Sequence, residues 1–103
     1  MRYRITITEE AASQLGDLSA REQRIVEAAV VTRLGDEPTI PTRAIKRLRP
    51  NPLAEFELRV RDLRVLYNVE GDEVVLLLVG RKVGNALVVA GEVFRGHQGD
   101  PAE

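Results

Sequence analysis

Arginine and lysine side chains are concentrated in the middle of the sequence, at spacings suited to binding phosphate. Residues 38 to 64 include seven basic and three acidic residues, although the chain of 103 residues has a formal net charge of −1. Arg59 and Arg61 alternate with apolar residues, and Arg64 begins the next apolar segment, so the three are predicted to converge on one side of a β-hairpin. Guanidinium groups bind phosphate oxygens through paired hydrogen bonds. The pattern therefore predicts a phosphate-binding surface.

Other basic residues extend this predicted surface. Arg81 and Lys82 follow the most apolar segment of the chain, and the stretch before the hairpin contributes Arg43, Lys46, Arg47 and Arg49. A plainer interpretation is that the hairpin cations form solvated ion pairs with the nearby carboxylates of Glu55, Glu57 and Asp62. The residues alone leave both interpretations open.

The residue types that are present limit the chemistry. The chain has no cysteine and one histidine, His97, so no metal site and no cofactor is expected. Without a metal, phosphodiester cleavage needs the neighbouring 2′-hydroxyl of RNA as nucleophile, a proton acceptor, a proton donor and cations around the phosphate. The candidate proton carriers are Glu55, Glu57, Lys82 and His97. For His97, which lies between glycines near the end of the sequence, a solvated tail residue is the simpler interpretation.

The elements that must position these residues follow from the apolar pattern. Alternation from Tyr3 to Ile7 predicts a first strand that buries one face. Thr8 and Ser19, each followed by glutamate, predict the N-caps of two helices, the second of which ends at Gly35. Four prolines between residues 36 and 54 exclude a continuous helix there. A short helical turn is predicted around residues 43 to 48.

The second half of the chain reads as a meander of strands. Residues 56–60 and 65–69 alternate around a tight turn at Arg61-Asp62, and residues 74–79 form a continuous apolar run typical of a central strand. Residues 87–90 are either a fifth strand or a docked segment. This order predicts an α+β fold, with two N-terminal helices packed on one face of a twisted, mainly antiparallel sheet of four to five strands. One domain is expected over residues 1–95, with a polar tail over residues 96–103.

No segment is long and apolar enough to suggest a membrane span or a signal peptide. We therefore expect a soluble, cytoplasmic protein with no membrane partner.

The hairpin sequence resembles a known family. The segment FELRVRDLRVLY from Phe56 to Tyr67, then the apolar run 74–79 and Gly80-Arg81-Lys82, is similar to the RelE/ParE superfamily of toxins from bacterial toxin–antitoxin systems. Ile45-Lys46-Arg47-Leu48 and Asn51-Pro52-Leu53 are similar to the loop that precedes this hairpin. Leu63 stands where the family usually has an aromatic residue.

The resemblance implies a function. RelE-like members cut messenger RNA on the ribosome without a metal, and their antitoxins neutralise them. Carried over by position, Arg59, Arg64 and either Arg81 or Lys82 would bind the phosphate and stabilise the transition state. The remaining basic residues would contact RNA, and these are Arg43, Lys46, Arg47, Arg49 and Arg61.

Two departures from the family pattern keep alternatives open. Glu57 occupies a position that is usually basic, and the usual C-terminal tyrosine is missing, so His97 or Glu57 would have to carry the proton. ParE-like members lack the ribonuclease residues and act by binding DNA gyrase. The first expectation is therefore a ribosome-dependent messenger RNA endoribonuclease with a cognate antitoxin. The alternatives are a gyrase inhibitor and an inactive toxin-fold binding protein.

Overall fold

Two helices and seven strands make up residues 2–93, the part of the chain that the computed structural model describes. Strand β1 (Arg4–Ile7) leads into helices α1 (Glu9–Gly16) and α2 (Ala20–Ala29). The other strands are β2 (Ile45–Arg47), β3 (Phe56–Val60), β4 (Leu63–Glu70), β5 (Glu73–Val83), β6 (Ala86–Val89) and β7 (Glu92–Val93). His97 and the predicted tail 96–103 lie outside the described residues.

The predicted caps of both helices are confirmed. The Thr8 hydroxyl accepts a hydrogen bond from the backbone N–H of Ala11, and Ser19 forms a reciprocal capping box with Glu22. These contacts satisfy amides that have no partner inside a helix. Helix α2 continues into a π-helical turn that ends before Gly35, where a Cβ would come within 2.6 Å of a backbone oxygen.

The strands form one sheet in the order β2-β3-β4-β5-β6-β7, in which these neighbours are antiparallel. β1 pairs in parallel with residues 73–76 of β5, on the same edge where β6 pairs with residues 81–83. The α+β class is confirmed. The sheet has seven strands rather than four or five because the short strands β2 and β7 extend its two ends.

Thr8, the N-cap of α1, and Gln14 within α1 lie between β1 and β6 along the edge of β5. The Thr8 N–H and hydroxyl both donate to the carbonyl oxygen of Leu76, and Gln14 Oε1 accepts the N–H of Val79 at 2.8 Å. Strand edges that lack a neighbour carry unpaired polar groups. The helix therefore replaces a strand over this stretch.

The main core lies between the helices and the sheet, on what we call the helix face. Val26 and Leu34 pack there against Leu58, Val65 and Tyr67. One prediction for this region is wrong. Ile5 and Ile7 are 36% and 39% exposed, because β1 is an edge strand and its residues are not covered.

A smaller apolar cluster covers part of the opposite side of the sheet, which we call the far face. Its buried residues are Leu48, Ala54, Leu66, Leu78 and Leu87. The loop between β2 and β3 folds over this face. Asn51 holds the loop by accepting the N–H groups of Leu53 and Ala54 and by donating to two carbonyl oxygens.

The predicted helical turn around residues 43 to 48 is wrong. Residues 45–47 form β2, which pairs with β3 in the register Lys46 to Glu57. Thr42 closes the start of this strand, because its hydroxyl accepts the N–H of Ile45. None of the helices in residues 2–93 is long and apolar enough to cross a membrane.

Candidate phosphate-binding site

Two arginines face each other across the central hairpin. The register pairs Arg59 of β3 with Arg64 of β4, and Arg64 in turn with Gly80 of β5. Cross-strand partners share a face and have Cβ atoms about 5 Å apart. Leu66 pairs with Leu78 in the next row of the far face, so Arg59 and Arg64 lie on the far face as well.

A buried carboxylate lies beside this pair. Glu57 is 3% exposed, and its Oε1 atom is 3.5 Å from Nε of Arg59, whose side chain is 45% exposed. Glu57 lies on the far face between Lys46 of β2 and Leu66 of β4. Its charge partly balances the facing arginines in the absence of another anion.

Arg64 is partly buried and anchored through one of its amino groups. Its Nη1 atom donates to the carbonyl oxygens of Arg61 and Leu63, both at 2.8 Å. Burial lowers the pKa of its guanidinium, and the nearby Glu57 carboxylate acts in the opposite direction. Its Nε atom is buried and makes no hydrogen bond within residues 2–93. An arginine remains protonated in proteins, so Arg64 is a fixed cation of the far face.

A β-bulge in β5 determines whether Arg81 or Lys82 lies on the same face as Arg59 and Arg64. Tyr67 pairs with Leu76 and Leu66 with Leu78, so Leu77 is an extra residue in β5. An extra residue reverses the side to which every later side chain points. Lys82, the partner of Leu87, therefore lies on the far face, whereas Arg81, the partner of Leu63, lies on the helix face.

The expectation that Arg81 shares a face with Arg59 and Arg64 is therefore wrong. Its Nη2 atom is 3.0 Å from both carboxylate oxygens of Glu22, and its Nη1 atom is 2.8 Å from Oδ2 of Asp62. The hydrogen bond from Arg81 lowers the pKa of Asp62. These contacts join α2, the β3–β4 turn and β5. They indicate that Arg81, which was predicted to bind phosphate, has a structural role instead.

A basic groove extends the site past the edge of the sheet. It has a volume of about 610 Å³ and is lined by Pro41, Thr42, Arg43, Ile45, Lys46, Arg47 and Arg59. Arg59 therefore belongs both to the groove and to the facing pair. The guanidinium carbon of Arg47 lies 5.2 Å from the centre of the Phe56 ring, a cation–π distance that orients the side chain.

The other predicted site residues are placed differently. Arg49 lies in the exposed loop after β2 and is not among the residues that line the groove. Arg61 lies in the β3–β4 turn rather than on the strand. His97 lies outside the described residues.

The far face can hold a phosphate ester. Arg59 and Arg64 supply donors from two adjacent strands, Lys82 supplies an ammonium group from a third, and the groove offers cations for further phosphates. Within residues 2–93, no group of three or more histidine, aspartate and glutamate side chains could hold a metal ion.

Two features of the site were not predicted. The burial of Glu57 depends on the neighbouring strands and on the loop over the far face, which no local pattern encodes. The position of Lys82, rather than Arg81, on the far face depends on the bulge at Leu77. Because residues 74–79 are all apolar, they carry no alternation from which a bulge could be recognised.

Comparison with solved structures finds a similar chain in the crystal structure of the toxin–antitoxin complex RelBE2 from Mycobacterium tuberculosis. The two chains are 30% identical and superpose with a TM-score of 0.58, over 80% of this chain and 100% of that chain. No protein-family model matches the sequence, and no curated protein matches it.

Proposed function

Because this chain belongs to the RelE/ParE superfamily of bacterial toxins, we propose that it is a metal-independent endoribonuclease that cleaves messenger RNA on the ribosome. The observation that carries the proposal is the facing pair of Arg59 and Arg64. Like charges directly opposite each other destabilise a hairpin. A bound phosphate removes this repulsion and uses both guanidinium groups.

The proposed reaction is an intramolecular transesterification. The 2′-oxygen of one nucleotide attacks the adjacent phosphorus, the bond from phosphorus to the 5′-oxygen breaks, and the products are a 2′,3′-cyclic phosphate and a 5′-hydroxyl. Arg59 and Arg64 bind the non-bridging oxygens and stabilise the negative charge of the transition state. Lys82 is the proposed donor of the proton that the departing 5′-oxygen takes, because an arginine does not release its proton.

The proton acceptor is one of two residues. Glu57 is the carboxylate next to the arginines, but it is buried and paired with Arg59, which favours an electrostatic role before substrate binds. Histidine is a common proton acceptor in catalysis. We propose His97 as the acceptor and Glu57 as the residue that positions Arg59.

Two kinds of partner follow from the proposal. A cognate antitoxin would bind the sheet and the helix pair, since the similar solved chain is part of a toxin–antitoxin complex. The ribosome would present the message, because a chain of net charge −1 attracts RNA weakly in the absence of local contacts.

The test replaces Arg64 and follows both growth and cleavage. Arg64→Ala is expected to relieve growth arrest after induction without antitoxin, and to lower the cleavage rate of ribosome-bound message by about 100-fold or more. Arg64→Lys keeps the charge but cannot bond the Arg61 and Leu63 carbonyl oxygens and a phosphate from one planar group, so it retains part of the activity. Arg24→Ala, on the exposed side of α2, is the matched control and keeps full activity. Intact message with the wild-type protein, or full arrest with Arg64→Ala, contradicts the proposal.

A second function is favoured by a specific observation. A carboxylate, Glu57, occupies one of the usual basic positions, and Arg81 is held by two acidic residues. These features suit a gyrase inhibitor that does not cleave RNA. Loss of DNA supercoiling by purified gyrase at equimolar protein, with intact message, would support this alternative. Harmless expression in the absence of antitoxin would instead indicate an inactive toxin fold.

A further inference from the structure

The β3–β4 turn holds an arginine in a backbone conformation that arginine rarely adopts. Val60 pairs with Leu63, so Arg61 and Asp62 form a two-residue turn, and Arg61 has a φ of 61°. In this left-handed region the Cβ atom crowds the backbone, and glycine or asparagine is the usual choice. An arginine at this position therefore strains the fold.

Contacts on both sides of the sheet hold the turn in this conformation. On the far face, Arg64 Nη1 donates to the carbonyl oxygen of Arg61 at 2.8 Å. On the helix face, Asp62 accepts from Arg81 at 2.8 Å, and its carbonyl oxygen accepts the N–H of Lys82 at 2.7 Å. Strained backbone persists where its surroundings fix it, which occurs often at functional sites.

The Arg61 side chain makes no polar contact within the described part of the fold that would offset the strain of its backbone. It is exposed, and its guanidinium makes no hydrogen bond or ion pair with any residue between 2 and 93. Its backbone is joined to Arg64, which faces Arg59. The turn therefore fixes the backbone of an exposed cation next to the arginine pair.

We propose that Arg61 contacts a phosphate of single-stranded RNA adjacent to the phosphate held by Arg59 and Arg64. This inference rests on the proposed function. It assigns the turn as the place where the RNA backbone leaves the site formed by Arg59 and Arg64. The residue is then a binding residue whose presence lowers the stability of the fold.

This assignment predicts opposite effects of one substitution on stability and on binding. Arg61→Gly and Arg61→Asn are expected to raise the melting temperature by a few degrees, because both residues tolerate a positive φ. The same variants are expected to bind a single-stranded RNA oligonucleotide several-fold more weakly in fluorescence anisotropy. Loss of one phosphate contact lowers the magnitude of the slope of log K against log salt by about 0.7.

Three control variants separate strain from charge. Ala90→Gly relieves a second positive φ, of 53°, in the β6–β7 turn, so it is expected to raise the melting temperature without changing RNA affinity. Arg24→Gln removes an exposed charge from α2 and is expected to leave the salt slope unchanged. Arg61→Lys keeps the charge and the strain, and it is expected to keep the slope.

The outcomes distinguish this inference from the proposed function. If Arg61→Gly binds RNA with the wild-type affinity and slope while Arg64→Ala loses both binding and cleavage, the turn contact is wrong and the ribonuclease stands. If Arg61→Gly weakens binding but ribosome-bound message stays intact with the wild type, the ribonuclease is wrong and the contact stands. A lower melting temperature for Arg61→Gly would also overturn the inference, since the strain would then be absent.

Discussion

Tyr67 joins the proline-containing loop to the sheet through one buried hydroxyl. The hydroxyl donates to the carbonyl oxygen of Pro38 at 2.6 Å, and the ring stacks on Phe56 with centres 5.3 Å apart. Tyr67 is fully buried, and burial raises the pKa of its hydroxyl above the ordinary value of 10. The residue is therefore part of the core and not of the far face.

The raised pKa of Tyr67 predicts instability at high pH. The stabilising effect of Tyr67 is complete below the pKa of a tyrosine in the unfolded chain, near 10. It is lost as the pH rises toward the pKa of Tyr67 in the folded protein. We expect the free energy of unfolding to fall by about 1.4 kcal/mol per pH unit from this residue above pH 10. Urea unfolding between pH 8 and 11.5 measures this effect.

Tyr67→Phe is the comparison for this measurement. It lacks the hydrogen bond to Pro38, so it is less stable at pH 8 by about 1 kcal/mol. Its stability should then vary less with pH above 10 than that of the wild type. Equal slopes for the two proteins would contradict the assignment of the alkaline effect to Tyr67.

At the scale of elements, the bulge in β5 separates Arg81, which is held in ion pairs, from Lys82, the proposed proton donor. It directs Arg81 toward Glu22 and Asp62 and directs Lys82 toward the far face. We expect Lys82→Ala to lower kcat for message cleavage by about 100-fold or more with little change in stability, because it removes the proposed proton donor.

A substitution of Arg81, the residue before Lys82, tests the same effect of the bulge on the helix face. Arg81→Gln is expected to lower stability by about 1 kcal/mol, since its ion pairs are partly exposed, and to leave kcat within a few-fold of the wild type. It should also reduce the loss of stability below pH 4. Asp62, whose pKa Arg81 holds below its ordinary value, stabilises the fold above its unfolded pKa, and that contribution is lost as the pH falls. A kcat loss for Arg81→Gln equal to that for Lys82→Ala would contradict this division.

Gly80 fixes the approach of β6 to β5. A Cβ at this position would lie 2.8 Å from the carbonyl oxygen of Val88 and 2.9 Å from a methyl group of Val89. Because a backbone atom is the closer neighbour, Gly80→Ala is expected to lower the free energy of unfolding by about 1–3 kcal/mol. Gly16→Ala is the matched control, since no atom lies within 4 Å of its added Cβ, and it is expected to be neutral or stabilising.

Whether an element could be predicted depended on how local its signal was. The caps at Thr8 and Ser19 and the hairpin turn at residues 61 and 62 were predicted because each depends on a few adjacent residues. β2 was missed because its three residues are stabilised mainly by pairing with β3. The faces of Arg81 and Lys82 were unresolved because the bulge lies in a uniformly apolar segment.

At the scale of the whole molecule, a net charge of −1 is compatible with a cationic site because the charges are segregated. The cations of the far face and groove come from β2, β3, β4 and the end of β5. Glu57 is the exception on the far face, whereas the first turns of both helices and the β4–β5 turn hold acidic residues away from it. In the proposed function, local contacts determine phosphate binding, and the ribosome brings the RNA to a protein whose net charge attracts it weakly.

The pairing of β1 with β5 also has a consequence for the synthesis of the chain. Arg4 pairs with Glu73, and Ile7 with Leu76, so β1 has no partner until β5 has been translated. The turn that anchors Arg64 likewise needs Arg81 and Lys82 from the end of β5. Pairings between such distant segments form late and slowly. If the proposed function is right, a ribosome that is making this protein meets no assembled site on the growing chain before β5 has been translated, and an antitoxin has until then to be in place.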